Sequence, residues 1–71
     1  MTDLGIIPKN SREEIRITAE IFKGHAIINI RVWYSDDSDE MRPGKQGLAF
    51  RLELLPAVLE TLSKAVKGGV A

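Results

Sequence analysis

The chain of 71 residues has no cysteine, a single histidine and a single tryptophan, and neither sign of charge prevails. Each shortage removes a class of function. Without cysteine there is no disulfide to staple a small core and no thiolate to bind a metal. One histidine leaves no imidazole cluster for a metal centre and no paired base for a nucleophile, so an enzyme is hard to build and no cofactor or metal is expected. His25 itself reads as a solvated turn residue. Ten Lys and Arg against ten Asp and Glu give zero net charge, which counts against a simple basic nucleic-acid binder. No apolar run approaches membrane-spanning length, and Met1 to Pro8 lacks the basic flank and apolar stretch of a signal peptide. The expectation is a soluble, intracellular protein with no membrane partner.

The length bounds the rest. One domain is the sensible count, and a chain this short buries only about 60% of its unfolded surface. Another subunit is the usual support for so small a core, so oligomerisation is expected from size alone.

The charge that is present is unevenly spread. Asp36, Asp37, Asp39 and Glu40 crowd one loop, while Arg12, Arg16, Lys23, Arg31, Arg42, Lys45 and Arg51 make the remainder net positive. The acidic run lacks the ligand spacing and distal Glu of a calcium loop. Gly44-Lys45-Gln46-Gly47 lacks the earlier Gly and the Lys-Ser/Thr ending of a nucleotide-binding loop, although a glycine-rich turn still offers backbone N–H groups to phosphate.

Residues 1–11 are punctuated by Gly5, Pro8 and Asn10 and read as a flexible tail, leaving 12–71 as the folded domain. From Ile15 the pattern alternates: Ile15, Ile17, Ala19 and Ile21 are apolar, with Arg16, Thr18 and Glu20 between them. A second run from His25 to Tyr34 places Ala26, Ile28, Ile30 and Val32 on one parity. Lys23-Gly24 then forms a two-residue hairpin loop, with Gly supplying positive φ. Pairing Phe22 with His25 puts every apolar pair on one face, whereas a slip of one residue scrambles them. The opposite face carries Phe22, His25, Glu20, Ile27, Thr18, Asn29, Arg16, Arg31 and Trp33. Arg16 falls opposite Arg31, a pairing that calls for an anion between them, either Glu14 or a phosphate.

Pro43-Gly44 suits a type II turn, between a short strand over Asp39–Arg42 and a final strand over Gly47–Phe50 that buries Phe50. Leu55, Val58, Leu59, Leu62 and Val66 switch to helical spacing. This predicts a helix from near Glu53 to Lys67, with Pro56 in its first turn and Gly68-Gly69 ending it. Its stripe is expected to cover the isoleucine face and to meet its copy across a dimer interface. Exposed rings beside cations suit unpaired bases, and Phe22 next to Lys23 fits that description. Trp33 shares the face of Phe22 by parity. Tyr34 falls on the other face unless a bulge intervenes.

Phe22-Lys23-Gly24, Ile30-Arg31, Trp33-Tyr34, Glu40-Met41-Arg42-Pro43-Gly44-Lys45 and Gly47 together resemble the single-stranded-DNA-binding domain of transcriptional positive cofactor four, ungapped from about Ile15 to Val66. The resemblance implies an α+β fold: a four-stranded curved antiparallel β-sheet followed by one C-terminal helix, dimerised through helices and sheet edges. It implies a non-catalytic homodimer that binds single-stranded or melted DNA with little sequence preference. The roles implied are transcription regulation or replication and repair, with the transcription machinery as a further partner. By the same resemblance Phe22 and Tyr34 match stacking aromatics, and Lys23, Arg31, Arg42 and Lys45 match backbone-facing cations. His25 and Gln46 stand at positions usually basic, and Glu20 replaces what is often a cation. Gly24 matches a turn residue. These departures predict a shallower salt dependence, by about 0.7 in slope for each phosphate that goes unneutralised. A protein-interaction or RNA-binding module is the alternative reading.

Overall fold

The computed structural model describes residues 1–68. Four strands, β1 (Thr2–Pro8), β2 (Glu13–Phe22), β3 (His25–Ser35) and β4 (Met41–Arg51), form one antiparallel sheet in chain order. A 3₁₀ turn (Leu52–Leu54) leads into α1 (Leu55–Gly68). The architecture is α+β, an open curved sheet followed by a single helix.

The β2–β3 hairpin is the part that alternation dictates. Its pairing runs without a break from Phe22–His25 through Ile17–Ile30 to Glu13–Tyr34. Every β-branched apolar pair therefore shares one face, and Ile28, 3% exposed, is its most buried residue. The loop has the two residues expected, and Lys23 (φ 51°) joins Gly24 (φ 80°) in positive φ. Positive φ at both central residues is the type I′ geometry, whose twist matches the flanking strands.

Three expectations need correction. Residues 2–8 are a strand and not a tail: Thr2 to Pro8 pair with β2, with a register shift between Asp3 and Gly5. The punctuating residues fit because β1 is an edge strand, where a missing Pro8 N–H leaves no ladder partner wanting. Pro43-Gly44 does not reverse the chain, since both lie inside the single strand β4. Between the pairs Arg31–Gly47 and Trp33–Pro43, Val32 alone faces Gly44, Lys45 and Gln46, which makes a bulge. A Cβ on Gly44 would stand 2.8 Å from the Val32 carbonyl oxygen, and one on Gly47 2.6 Å from that of Ile30, so the bulge presses directly on the β3 backbone. The third correction concerns α1. It packs against the 3₁₀ turn and not across the isoleucine face.

The helix begins at Leu55, with the 3₁₀ turn occupying the residues before it. No side chain caps that turn at Arg51, in keeping with the absence of a polar capping residue there. Pro56 falls in the first turn of the helix. Gly69, read as part of the helix stop, lies outside the described residues.

Candidate nucleic-acid interface

The sheet register divides the candidate residues between two faces. Arg16 pairs with Arg31, Thr18 with Asn29, and Phe22 with His25, all on the face away from the isoleucines. Trp33 shares this face through its pairing with Glu14. From β1, Asp3 joins through its pairing with Thr18, and from β4, Pro43 through Trp33. Asp3, Arg16, Thr18, Asn29, Arg31, Trp33 and Pro43, with Met1, line a trough of about 280 Å³ that crosses all four strands; Phe22, His25 and Glu14 lie outside it.

The repulsion expected between Arg16 and Arg31 is relieved locally. Arg16 Nε donates to Glu14 Oε2 at 2.5 Å, and Arg16 Cζ stands 4.1 Å from the centroid of the Trp33 ring. Arg31 Nη1 turns to the bulge and donates to the Gly44 carbonyl at 2.9 Å. At the floor of the trough, Asn29 Oδ1 is shielded from solvent and has no hydrogen-bond partner among the described residues.

The hairpin tip is a second feature. Phe22 is 57% exposed, and Lys23 Nζ lies 5.4 Å from its ring centroid. This places an open ring and a cation on one protrusion, and Gly24 and His25 complete it. His25 is exposed beside Arg51 and Glu53, as its reading as a solvated turn residue expects.

Tyr34 is separate from both. The unbroken β2–β3 ladder holds it on the isoleucine face, 42% exposed, where Lys45, Gln46 and Gly44 of the bulge line a shallow hollow with it. The irregularity lies in β4 and not in β3, so it brings Lys45 and Gln46 to Tyr34 without moving Tyr34 to the other face.

Arg42, opposite Tyr34, is engaged by the acidic loop. Its Nε donates to Asp36 Oδ2 at 2.5 Å and its Nη2 to Glu40 Oε2 at 3.5 Å. Asp36 Oδ1 also accepts from the backbone N–H groups of Ser38 and Glu40. The Arg42 hydrogen bond, followed by that from Glu40, holds the Asp36 carboxyl below the usual carboxylate range. The same pairing raises Arg42 above its ordinary value. The loop thus neutralises a cation that sequence reading assigned to phosphate. Lys23, Arg31 and Lys45 have no carboxylate partner among the described residues.

Of the residues that line the trough, Met1, Asp3, Thr18, Asn29 and Pro43 escaped the sequence reading as site residues. Asp3 lies on a segment read as a tail, and Asn29 looked like one polar member of an alternating strand. The signal for Asn29 was its parity with Arg31, next to the Arg16–Arg31 pair on the same face. Among the described residues, no group of three or more His, Asp or Glu side chains is placed to hold a metal ion, and no helix is long and apolar enough to cross a membrane.

Of the helical stripe, Leu55 and Val58 are half-buried, while Leu59, Leu62 and Val66 are exposed. Leu54, Ala57, Val58, Thr61 and Leu62 line an open apolar groove.

The fold has solved counterparts. A PC4 homologue from Burkholderia pseudomallei is 26% identical, with a TM-score of 0.82. The match covers 92% of this chain and 88% of that one in an orthorhombic crystal form, or 96% in a tetragonal form. The bacteriophage T5 homologue of the eukaryotic transcription coactivator PC4, implicated in recombination-dependent DNA replication, is 28% identical with a TM-score of 0.64, over 89% of this chain and 73% of that one. No curated protein sequence matches the chain significantly. The family described as Transcriptional Coactivator p15 (PC4) matches residues 9–61, from the β1–β2 turn into α1. With its sheet-then-helix order and this match over most of its length, the chain belongs to the transcriptional coactivator p15 (PC4) family.

Proposed function

We propose that this protein is a non-catalytic, homodimeric single-stranded-DNA-binding protein of broad sequence tolerance. Family membership implies DNA binding with a role in transcription or replication. The neighbours point to bacterial and phage settings for such a role, so a cytoplasmic or nucleoid location follows from the same reading. The observation that carries the single-strand reading is the hairpin tip, where Phe22 stands 57% exposed with the Lys23 ammonium 5.4 Å from its ring. An apolar ring left in water is unfavourable unless a partner covers it, and unpaired bases stack on such rings for about 1–3 kcal/mol each. A duplex hides its base faces and offers nothing to stack.

The dimer rests on unfilled apolar surface. The chain exposes 5753 Å², against about 4,400 Å² for a compact 7.9 kDa monomer. Its radius of gyration is 14.1 Å, where a compact domain of this length has about 11 Å. Exposed apolar side chains contribute to it, among them Ile7, Ile21 and Leu48 of the isoleucine face and Leu59, Leu62 and Val66 of α1. Packing these helices and faces together from two copies supplies the missing second layer.

A titration that compares a mixed-sequence single strand with its duplex tests the DNA reading, with Trp33 fluorescence as the signal. Preference for the single strand is expected, and equal binding refutes it. One observation favours a second reading, a protein-interaction module: Arg16 and Arg42 are already paired with carboxylates. Phe22→Ala and Lys23→Ala separate the two. If they leave nucleic-acid affinity unchanged while binding to a protein partner disappears, the interaction reading holds. Stacking alone does not distinguish DNA from RNA, because the 2′-hydroxyl is what separates them. A matched RNA strand belongs in the same titration.

A further inference from the structure

We infer that Gly44 is a positioning residue for nucleic-acid binding: its carbonyl, presented by the β4 bulge, holds one end of the Arg31 guanidinium and leaves the remaining donors for a backbone phosphate in the trough. The inference rests on the single-stranded-DNA reading and names the residue that sets one of its contacts.

Arg31 is half-buried along the trough, and its Nη1 donates to the Gly44 carbonyl at 2.9 Å. A guanidinium carries five N–H donors in a planar fork. Among the described residues this is the one hydrogen bond its side chain makes, and no carboxylate pairs with it. Fixing Nη1 leaves free the edge formed by Nε and Nη2, which can take two phosphate oxygens side by side. Arg16, across the ladder, is in the opposite condition: Glu14 takes its Nε, and its guanidinium lies against Trp33. Asp3 is the carboxylate that lines the trough. It stands on β1, two strand spacings (about 9–10 Å) from the strand that carries Arg31.

The carbonyl stands where it does because residue 44 has no side chain. A Cβ there would lie 2.8 Å from the Val32 carbonyl oxygen. The Tyr34 ring, at 3.6 Å, is in ordinary contact, so the bulge backbone is what must move, and the Gly44 carbonyl moves with it. Gly47 clears the space on Arg31's other flank. It faces Arg31 in the ladder, and a Cβ on it would lie 3.3 Å from Arg31 Cβ. The bulge thus supplies both the anchor for the guanidinium and room for its stem.

The test is a double-mutant cycle of Arg31→Gln and Gly44→Ala, read by anisotropy of labelled oligodeoxythymidine at several salt concentrations. Arg31→Gln should weaken binding about tenfold and lower the salt slope by about 0.7, the loss of one phosphate contact. Gly44→Ala alone should weaken binding about fivefold. Added to Arg31→Gln it should cost less than about twofold more, because the group it positions is gone. Equal losses in both backgrounds mean that Gly44 serves stability alone, and overturn the inference. Unchanged affinity in Arg31→Gln also overturns it and leaves the DNA reading standing. Failure of the unmodified protein to bind the strand overturns both. If Gly44→Ala does not fold, Arg31→Lys decides. It keeps the charge, but one ammonium cannot hold the carbonyl and two phosphate oxygens together, so a loss of about fivefold is expected. Full affinity in Arg31→Lys overturns the positioning role.

Discussion

Arg16 covers Trp33: its Cζ stands 4.1 Å from the ring centroid, and the same guanidinium is held by Glu14, the residue paired with Trp33 across the β2–β3 ladder. The indole face is therefore taken up by a cation–π contact within the protein. Tyr34 and Phe22 have open surface instead. Tyr34→Ala and Phe22→Ala should each weaken single-strand binding by about 1–3 kcal/mol, while Trp33→Phe, which keeps a ring under Arg16, should change it by less than about threefold. Anisotropy titrations of the three variants check this. A larger loss for Trp33→Phe than for Tyr34→Ala reverses the assignment.

The β4 bulge leaves no room for a side chain at Gly44 or Gly47. Gly47→Ala places a Cβ 2.6 Å from the Ile30 carbonyl oxygen and 3.0 Å from Arg31 Cα, both backbone atoms that cannot step aside. Urea unfolding should show a loss of about 1–3 kcal/mol. Gly24 is constrained differently, because a Cβ there meets open space while φ is +80°. Gly24→Ala should cost only the left-handed strain, about 1–2 kcal/mol. At Lys23, also left-handed, Lys23→Asn should stabilise the hairpin while weakening nucleic-acid binding.

The acidic loop should respond to pH at the acid end. The Asp36 carboxyl is held below its ordinary value, first by the Arg42 hydrogen bond. A depressed folded value means that its contribution is complete above the unfolded carboxylate value of about 3.9 and is lost as pH falls through the depressed one. Carboxyl chemical shifts across that range should titrate below the usual value, and Arg42→Gln should return Asp36 towards it. Freeing the cation has the converse effect on binding. Asp36→Asn should tighten single-strand affinity and steepen the salt slope by about 0.7 if Arg42 then meets one phosphate. An unchanged slope means that Arg42 stays clear of the strand.

Assembly makes a separate prediction. Leu59→Asp or Leu62→Asp puts a charge in the exposed stripe of α1. Light scattering should report a dimer for the unmodified protein and a monomer for either variant, with a marked loss of thermal stability. A stable monomer of the unmodified protein at micromolar concentration contradicts the proposed second layer.

The parts of the fold legible in the sequence are those where one physical rule acts alone. The β2–β3 register followed from isoleucine alternation, because any slip would turn Ile15, Ile17, Ile28 and Ile30 to the wrong face. The α1 stripe followed from its spacing. What escaped depended on context that a local reading lacks. Pro8, Pro43 and Gly44 are turn residues by composition, yet Pro8 and Pro43 are tolerated in edge strands, and Gly44 lies in the bulge where a Cβ would meet the Val32 carbonyl oxygen. The helix was expected on its own sheet because amphipathic stripes seek apolar cover; here it lies off that face. For the site, parity brought Arg16, Arg31, Phe22 and Trp33 to one face. The carboxylates that occupy Arg16 and Arg42 depend on side-chain geometry, which the pattern does not carry.

Preference for unpaired DNA is decided by one titration repeated at several salt concentrations. Trp33 fluorescence is followed as a mixed-sequence single strand, and separately its perfect duplex, is added. Tighter binding of the single strand is expected at every concentration. The salt slope should be modest, set by a few phosphate contacts, with the unpaired Lys23, Arg31 and Lys45 the first candidates. Equal or tighter binding of the duplex would contradict a single-stranded-DNA-binding role.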